Sequence, residues 1–151
     1  PSARLDEEDR FIMAEIDNMF RSMRISAAGM NAQGTRLRVI AENIANADSL
    51  GQTPGDLPYR RKTVTFRNEL DRSIGMDTVR VDKIGVDRAE FEKRYDPNHP
   101  AADSDGYVLV PNVNTLIEMM DMREAQRSYE ANLSVIKASR KMLNSTIEVL
   151  R

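Results

Sequence analysis

No proline interrupts the chain between Met13 and Asn46, and apolar or small residues recur along that run at Ile16, Phe20, Met23, Ala27, Met30, Gly34, Leu37, Ala41 and Ile44, alternately four and three apart. That heptad spacing places them on one narrow stripe of a helix, while Arg21, Arg24, Arg36, Arg38 and Glu42 fall mostly away from it and stay in water. A helix of this extent is about 50 Å long, more than a small globular domain needs. Gly29 and Gly34 each cost about 1 kcal/mol relative to Ala inside a helix. Gly34 stands on the seam itself, where a missing side chain lets another backbone approach.

The other end repeats the pattern. Asn114 can cap a helix that runs to the C-terminus, in which Met122, Tyr129, Ile136, Leu143 and Leu150 lie seven apart. Ala125, Asn132, Ser139 and Thr146 form a small, partly polar second row, and Leu133 and Ile147 widen the face. Burying one Leu or Ile from either stripe is worth roughly 1.5 to 3 kcal/mol. A hairpin of two such helices has no third layer to cover its wider faces, a layer that other subunits could supply. The plainer alternative is that two amphipathic termini form the ordinary core of a helical domain.

Between the helices, ADSLGQTPGDLPYRR carries Gly51, Pro54, Gly55 and Pro58, which forbid a continued helix and mark a loop. TVTFRNEL and TVRVDKIGVDR follow, with short alternations at Val64 and Phe66, Val79 and Val81, Ile84 and Val86, and they read as two or three brief strands. GYVLV before Pro111 reads as another. The fold class is therefore mainly α with a small β insertion: residues 13–46 and 114–151 as a paired-helix core, 47–113 as a loop and small β-hairpin region, and 1–12 as an N-terminal extension.

Composition agrees. A chain of 151 residues suits one structural unit, and 40% hydrophobic residues with 5% aromatics, no Trp and nine Met favour helix packing over an aromatic-rich sandwich. The net charge of −2, with Lys and Arg dispersed among Asp and Glu, offers no basic field for nucleic acid. The absence of cysteine removes disulfides and thiolate metal sites. No run of about 18 apolar residues spans a bilayer. The mixed-charge opening PSARLDEEDRFI has no apolar core, so no cleavable secretion signal is expected, and Met13 is the expected native start.

Polar residues that could carry chemistry cluster in YDPNHPAADSDGYVLVPNVN. Asp103, Asp105 and Gly106 match three positions of a calcium-binding loop, but the first and last ligand positions hold Ala101 and Asn112, and Pro97, Pro100 and Pro111 exclude flanking helices. His99 is the only histidine and has no partner for a zinc pair or a serine triad. No phosphate-binding Gly loop occurs. No cofactor, metal or catalytic residue is expected, and the chain does not read as an enzyme. Glu118, Arg123, Glu124, Arg127 and Glu130 read as a wet helix face with i to i+4 pairs.

The motifs AENIANADS, PYRRKTVTF, YDPNHPAADSDGYVLVPNVN and EMMDMREAQRSYEANLSVIKASRKM resemble the bacterial flagellar basal-body rod protein family from about Met13 to the C-terminus. Residues Asn43, Ile44, Ala45, Asn46, Asp48 and Ser49 match its first signature; Tyr107, Pro111, Asn112, Asn114, Tyr129, Ala131 and Asn132 match its second. The resemblance implies a non-catalytic subunit of the rod that crosses the periplasm, exported without a cleavable signal peptide. It implies polymerisation through terminal helices paired as a coiled coil, transmitting torque and lining the export channel. The implied partners are copies of itself, other flagellar rod proteins, and the membrane ring and export gate adaptor at the rod base, without nucleic acid or a direct membrane span. The alternative is a monomeric helical adaptor or export factor. Within the signature, Asn43 and Asn46 fall where the first helix ends, so their amides can satisfy terminal carbonyls or bond to the partner helix.

Overall fold

The computed structural model describes residues 7–149. Two long helices frame the insertion: α1 spans Glu7–Ala45 and α2 spans Thr115–Val149. α1 starts ahead of Met13, because EEDRFI contains neither Pro nor Gly and its mixed charges suit an exposed helical turn. Among the described residues no helix is long and apolar enough to cross a membrane.

Asn114 caps α2 as expected. Its Oδ1 accepts hydrogen bonds from the Leu116 and Ile117 amides at 3.1 and 3.3 Å, and its carbonyl accepts the Glu118 amide at 3.0 Å. Asn114→Ala strips the side-chain part of this cap and should cost about 1 kcal/mol. The urea midpoint is expected to fall at unchanged slope, and an unmoved midpoint would count against the cap.

The helices run antiparallel, since contacts that step back along α1 step forward along α2: Asn43 with Glu118, Arg36 with Asp121 and Glu124, Gly29 with Asn132. The close approach is at Gly29, not Gly34. A Cβ on Gly29 would stand 2.9 Å from Asn132 Nδ2 and 3.1 Å from its Cγ, whereas one on Gly34 would meet nothing within 4 Å. The small row of α2 lies on this side, with Ala125 and Ser139 buried, and the larger Met122, Tyr129, Ile136 and Leu143 are half-buried beside it. Leu150, the last residue of that larger row, lies outside the described residues.

β1 (Lys62–Asp71) and β2 (Met76–Val86) form an antiparallel hairpin running from the Lys62–Val86 pair to the Asp71–Met76 pair, with a register shift between Thr65 and Phe66. Gly75 supplies the positive φ of its turn. The hairpin lies along α1, with Ala28, Ala32 and Thr35 facing Thr78, Val79 and Val81, and Arg24 is paired to Asp71 at 3.1 Å near the tip. β3 (Glu92–Tyr95) pairs with β4 (Tyr107–Val110) in a second two-stranded sheet. β4 is the expected GYVLV strand. β3 was not legible, because EKRY is exposed throughout and carries no apolar alternation.

The core is thin. Its buried apolar members are Met19, Ala32, Val39, Ile40, Ile74, Ala101, Val108 and Ala125, drawn from both helices, the turn of the hairpin, β4 and the loop before it.

Candidate assembly interface and its buried polar node

α1 presents three faces. Ser26, Gly29, Ile40 and Asn43 are buried, and with Arg36 they define the side toward α2. Ala28, Ala32, Thr35 and Val39 turn toward the hairpin. At about 100° per residue the predicted seam lies roughly a quarter-turn from the α2 side, away from the hairpin. There Ile16, Met23, Met30, Gly34, Leu37 and Ile44 are half-buried, while Phe20, Ala27 and Ala41 are exposed. Ala27, Met30, Gly34 and Arg38 form one wall of an open groove of about 550 Å³ whose other wall is Tyr129 and Ile136 of α2. The structure thus brings parts of both predicted rows to the same groove.

The contact between the helices is polar and small where an apolar seam is usual, and its anchor is a buried node at the end of α1. Asn43 is 1% exposed. Its Nδ2 donates to the Lys62 carbonyl at 2.9 Å and to Glu118 Oε2 at 3.2 Å, and its Oδ1 accepts the Lys62 amide and the Tyr59 hydroxyl, each at 2.9 Å. One carboxamide thus ties α1 to α2 and to the start of β1. Glu118, also 1% exposed, accepts from Arg61 Nε through its other oxygen. This corrects the reading of Glu118 as part of a wet face. Arg123, Glu124, Arg127 and Glu130 are exposed, but Glu118 heads the heptad row of Ala125, Asn132, Ser139 and Thr146 and so points inward.

Arg61 reaches Asp87 at 3.6 Å and Asp121 at 3.9 Å as well. Burial works against its charge, but the Glu118 hydrogen bond and the charges of Glu118, Asp87 and Asp121 outweigh that and raise its pKa. Burial also pushes the Tyr59 phenol up, which keeps it a donor to Asn43. Lys62 pairs with Glu42 at 2.8 Å, and that bond lowers the Glu42 carboxyl.

Asn112 closes the node from the opposite side. Its Oδ1 accepts the Arg61 amide at 2.8 Å, and its Nδ2 donates to the carbonyls of Asp87 at 3.1 Å and Ala89 at 3.3 Å. Arg60 bonds the same two carbonyls and stacks 4.1 Å above the Phe91 ring. The end of α1, the first strand of the hairpin, the exit from β2 and the entry to α2 therefore meet at one point. Four sequence motifs, AENIANADS, PYRRKTVTF, PNVN and the EMMD that opens the α2 motif, supply most of it. Asn43 and Asn46 play the two parts expected of them: Asn43 bonds the partner helix, and Asn46 Nδ2 donates to the terminal Glu42 carbonyl at 2.8 Å while its Oδ1 accepts the Ser49 hydroxyl.

Among the other motif residues, Ala45 ends α1, Asp48 and Ala131 are exposed, Pro111 is buried, and Asn132 covers Gly29. Tyr107 meets Tyr95 edge-on at 5.3 Å across the β3–β4 pair. Asp103 and His99 shape the turn between those strands: Asp103 Oδ1 accepts the Asp105 and Tyr107 amides, and His99 Nδ1 accepts the Ala101 amide. No group of three or more potential metal-ligating His, Asp or Glu side chains occurs among the described residues.

Residues 23–51 match the family model described as flagella basal body rod protein, and residues 104–149 match that of the flagellar basal body rod FlgEFG protein C-terminal. The chain is 55% identical over 136 residues to the flagellar basal-body rod protein FlgC of Agrobacterium fabrum, covering 90% of this chain and 98% of that one. It is 38% identical to FlgC of Borreliella burgdorferi, over 88% of this chain and 98% of the relative, and 35% identical to FlgC of Bacillus subtilis, over 86% and 97%.

Proposed function

This chain belongs to the flagellar basal-body rod protein FlgC family and is a structural subunit of the rod; from that premise we propose that it joins the rod by burying the free seam of α1 and the flanking row of α2 against helices of neighbouring subunits. The observation that carries this reading is the phase of the seam. Its members, from Ile16 to Ile44, lie beside the buried contact with α2 and are half-buried or exposed, and Ala27, Met30 and Gly34 border an open groove with Tyr129 and Ile136. Within the chain the helices are held by directional polar contacts, and the apolar rows are left for partners.

In this reading the paired helices form a coiled-coil wall around the export channel and pass torque through many packed contacts. The neighbours are further copies and other rod proteins, with the membrane ring and export gate adaptor at the base. The rod crosses the periplasm, and its subunits are exported without a cleavable signal peptide. Neither catalysis nor a cofactor has a part in it, consistent with a family that is structural.

Leu37→Asp tests the seam. Leu37 is half-buried and outside the node, so the isolated subunit should keep its helicity, while rod incorporation and swimming fall at least tenfold because a carboxylate resists burial. Wild-type swimming in that variant would reject the seam as an interface. Hydrogen exchange on the dilute subunit supplies a second readout: amides of both helices far from the Asn43–Glu118 node should be much less protected before assembly than those beside it, since uncovered stripes do little to offset ordering entropy. Full protection in the monomer would favour an adaptor that works alone.

A further inference from the structure

α2 carries a second apolar row that the pairing with α1 leaves unused. Ala131, Val135, Ala138, Met142, Ser145 and Val149 recur alternately four and three apart, and all are exposed. Spacing, not exposure, sets them apart: the other exposed positions between Ala131 and Val149 are polar or charged, except Ile147, which widens the first row. At about 100° per residue this row lies roughly a quarter-turn from the buried Ala125 and Ser139, on the side away from Tyr129 and Ile136. The α1 seam and its groove thus occupy one face of the helix pair, and this row the opposite face.

The two rows also match in size. Along α1, Met23, Met30 and Leu37 alternate with Ala27, Gly34 and Ala41; along the α2 row, Val135, Met142 and Val149 alternate with Ala131, Ala138 and Ser145. Large side chains of either row fit the gaps of the other, as facing helices require. One antiparallel register uses every gap, seating Val135 on Ala41, Met142 on Gly34 and Val149 on Ala27. A seven-residue slide one way brings Val149 onto Phe20, and the other way carries Val135 beyond the end of α1. The gap at Gly34 is open, since a Cβ there would meet nothing within 4 Å.

We propose that the α2 row of one copy seats on the α1 seam of the next, antiparallel to it and in this register. The inference rests on the packing reading above and names the partner of the seam. Gly29 and Asn132 stand at one level within a chain, so the register displaces successive copies by about 15 residues, or about 22 Å along the helices. Two different faces joined with such a displacement give an open helical array, not a closed dimer. The strip of contact is about 28 Å long and one helix, about 10 Å, wide. That falls well short of the ~800 Å² per partner of a stable dimer, so a single contact is weak, and it persists only when repeated on both faces of every copy.

The chain has no cysteine of its own, so introduced thiols report the contact alone. Gly34→Cys and Met142→Cys are combined in one full-length chain; Gly34 has open space beside it and Met142 is exposed, so both sites accept a thiol. Within a chain the two lie about 22 Å apart along the helices, beyond the reach of a disulfide, so any bond joins different copies. Rods isolated from cells and mildly oxidised should show dimers and longer multimers on a gel run without reductant, and either single variant should show none. Ala41→Cys with Val135→Cys should do the same. Gly34→Cys with Val135→Cys, one heptad out of register, should give at least fivefold less, and an equal yield would overturn the register. Assembled rods without multimers from either matched pair, or dimers from Gly34→Cys alone as seam-on-seam packing gives, would overturn the proposal. Met142→Asp should lower swimming at least tenfold while the isolated subunit keeps its helicity, because a carboxylate resists burial. If Met142→Asp swims normally but Leu37→Asp does not, the α2 row alone is rejected. If both swim normally, the packing reading falls with it.

Discussion

Arg61→Met is expected to lower the unfolding free energy by about 3 to 5 kcal/mol, the usual effect of removing one partner from a buried ion pair. The loss comes less from the missing attraction than from what is stranded. The Glu118 carboxylate is 1% exposed and would keep a single donor, Asn43 Nδ2, for two oxygens. Arg61 itself is a quarter exposed, so the opposite change, Glu118→Gln, leaves a guanidinium that water, Asp87 and Asp121 can still serve, and it should cost less. The double variant should then be less damaged than the two single losses added together, by about 1 to 3 kcal/mol, as groups in one network require. Urea unfolding of the four proteins measures this directly. An Arg61→Met loss under about 1 kcal/mol, or strict additivity, would show that Glu118 does not depend on Arg61.

Gly29 gives the second large effect, and its sign depends on the residue opposite. Gly29→Val forces a branched side chain into the space of the Asn132 carboxamide, and such overpacking costs about 1 to 3 kcal/mol. Gly29→Ala combined with Asn132→Ala removes the obstruction while keeping the helix-propensity gain of about 1 kcal/mol. That double variant should therefore unfold at higher urea than the parent. If it does not, Gly29 is not retained for close packing against Asn132.

Much of this architecture could be read from the chain. The unbroken heptad runs foretold both helices, Asn114 foretold the cap, and the alternations around Val64, Val79 and Val108 foretold three of the four strands. The phase of α1 about its axis was harder. Apolar periodicity marks the residues that avoid water, and in α1 these lie beside the intramolecular contact, not within it. Beside Ile40, the contact with α2 uses Ser26, Gly29, Arg36 and Asn43, which a hydrophobic pattern counts as surface. Glu118 was misread for the same reason: a carboxylate on an amphipathic helix is usually wet, and only its place at the head of the Ala125–Asn132–Ser139 row marks it as inward. That row has a seven-residue repeat, and extending it backward by one step was the available signal. The node as a whole could not be read, because Tyr59, Arg61, Lys62 and Asn112 reach Asn43 and Glu118 only once the insertion has folded back over the end of α1.

The pairs Asn43–Glu118 and Gly29–Asn132 lie two heptads apart on each helix. Sliding α2 along α1 by one residue would separate both at once, pulling a hydrogen bond apart at one and driving a carboxamide into a backbone at the other. Greased surfaces creep under axial load, since each side chain can trade one hollow for the next at little cost. This joint is keyed: it holds its setting until a directional bond fails and then yields in a single step. In the torque-bearing rod proposed above, such a joint would keep the two helices of each subunit moving as one spar and leave any slip to the boundaries between subunits.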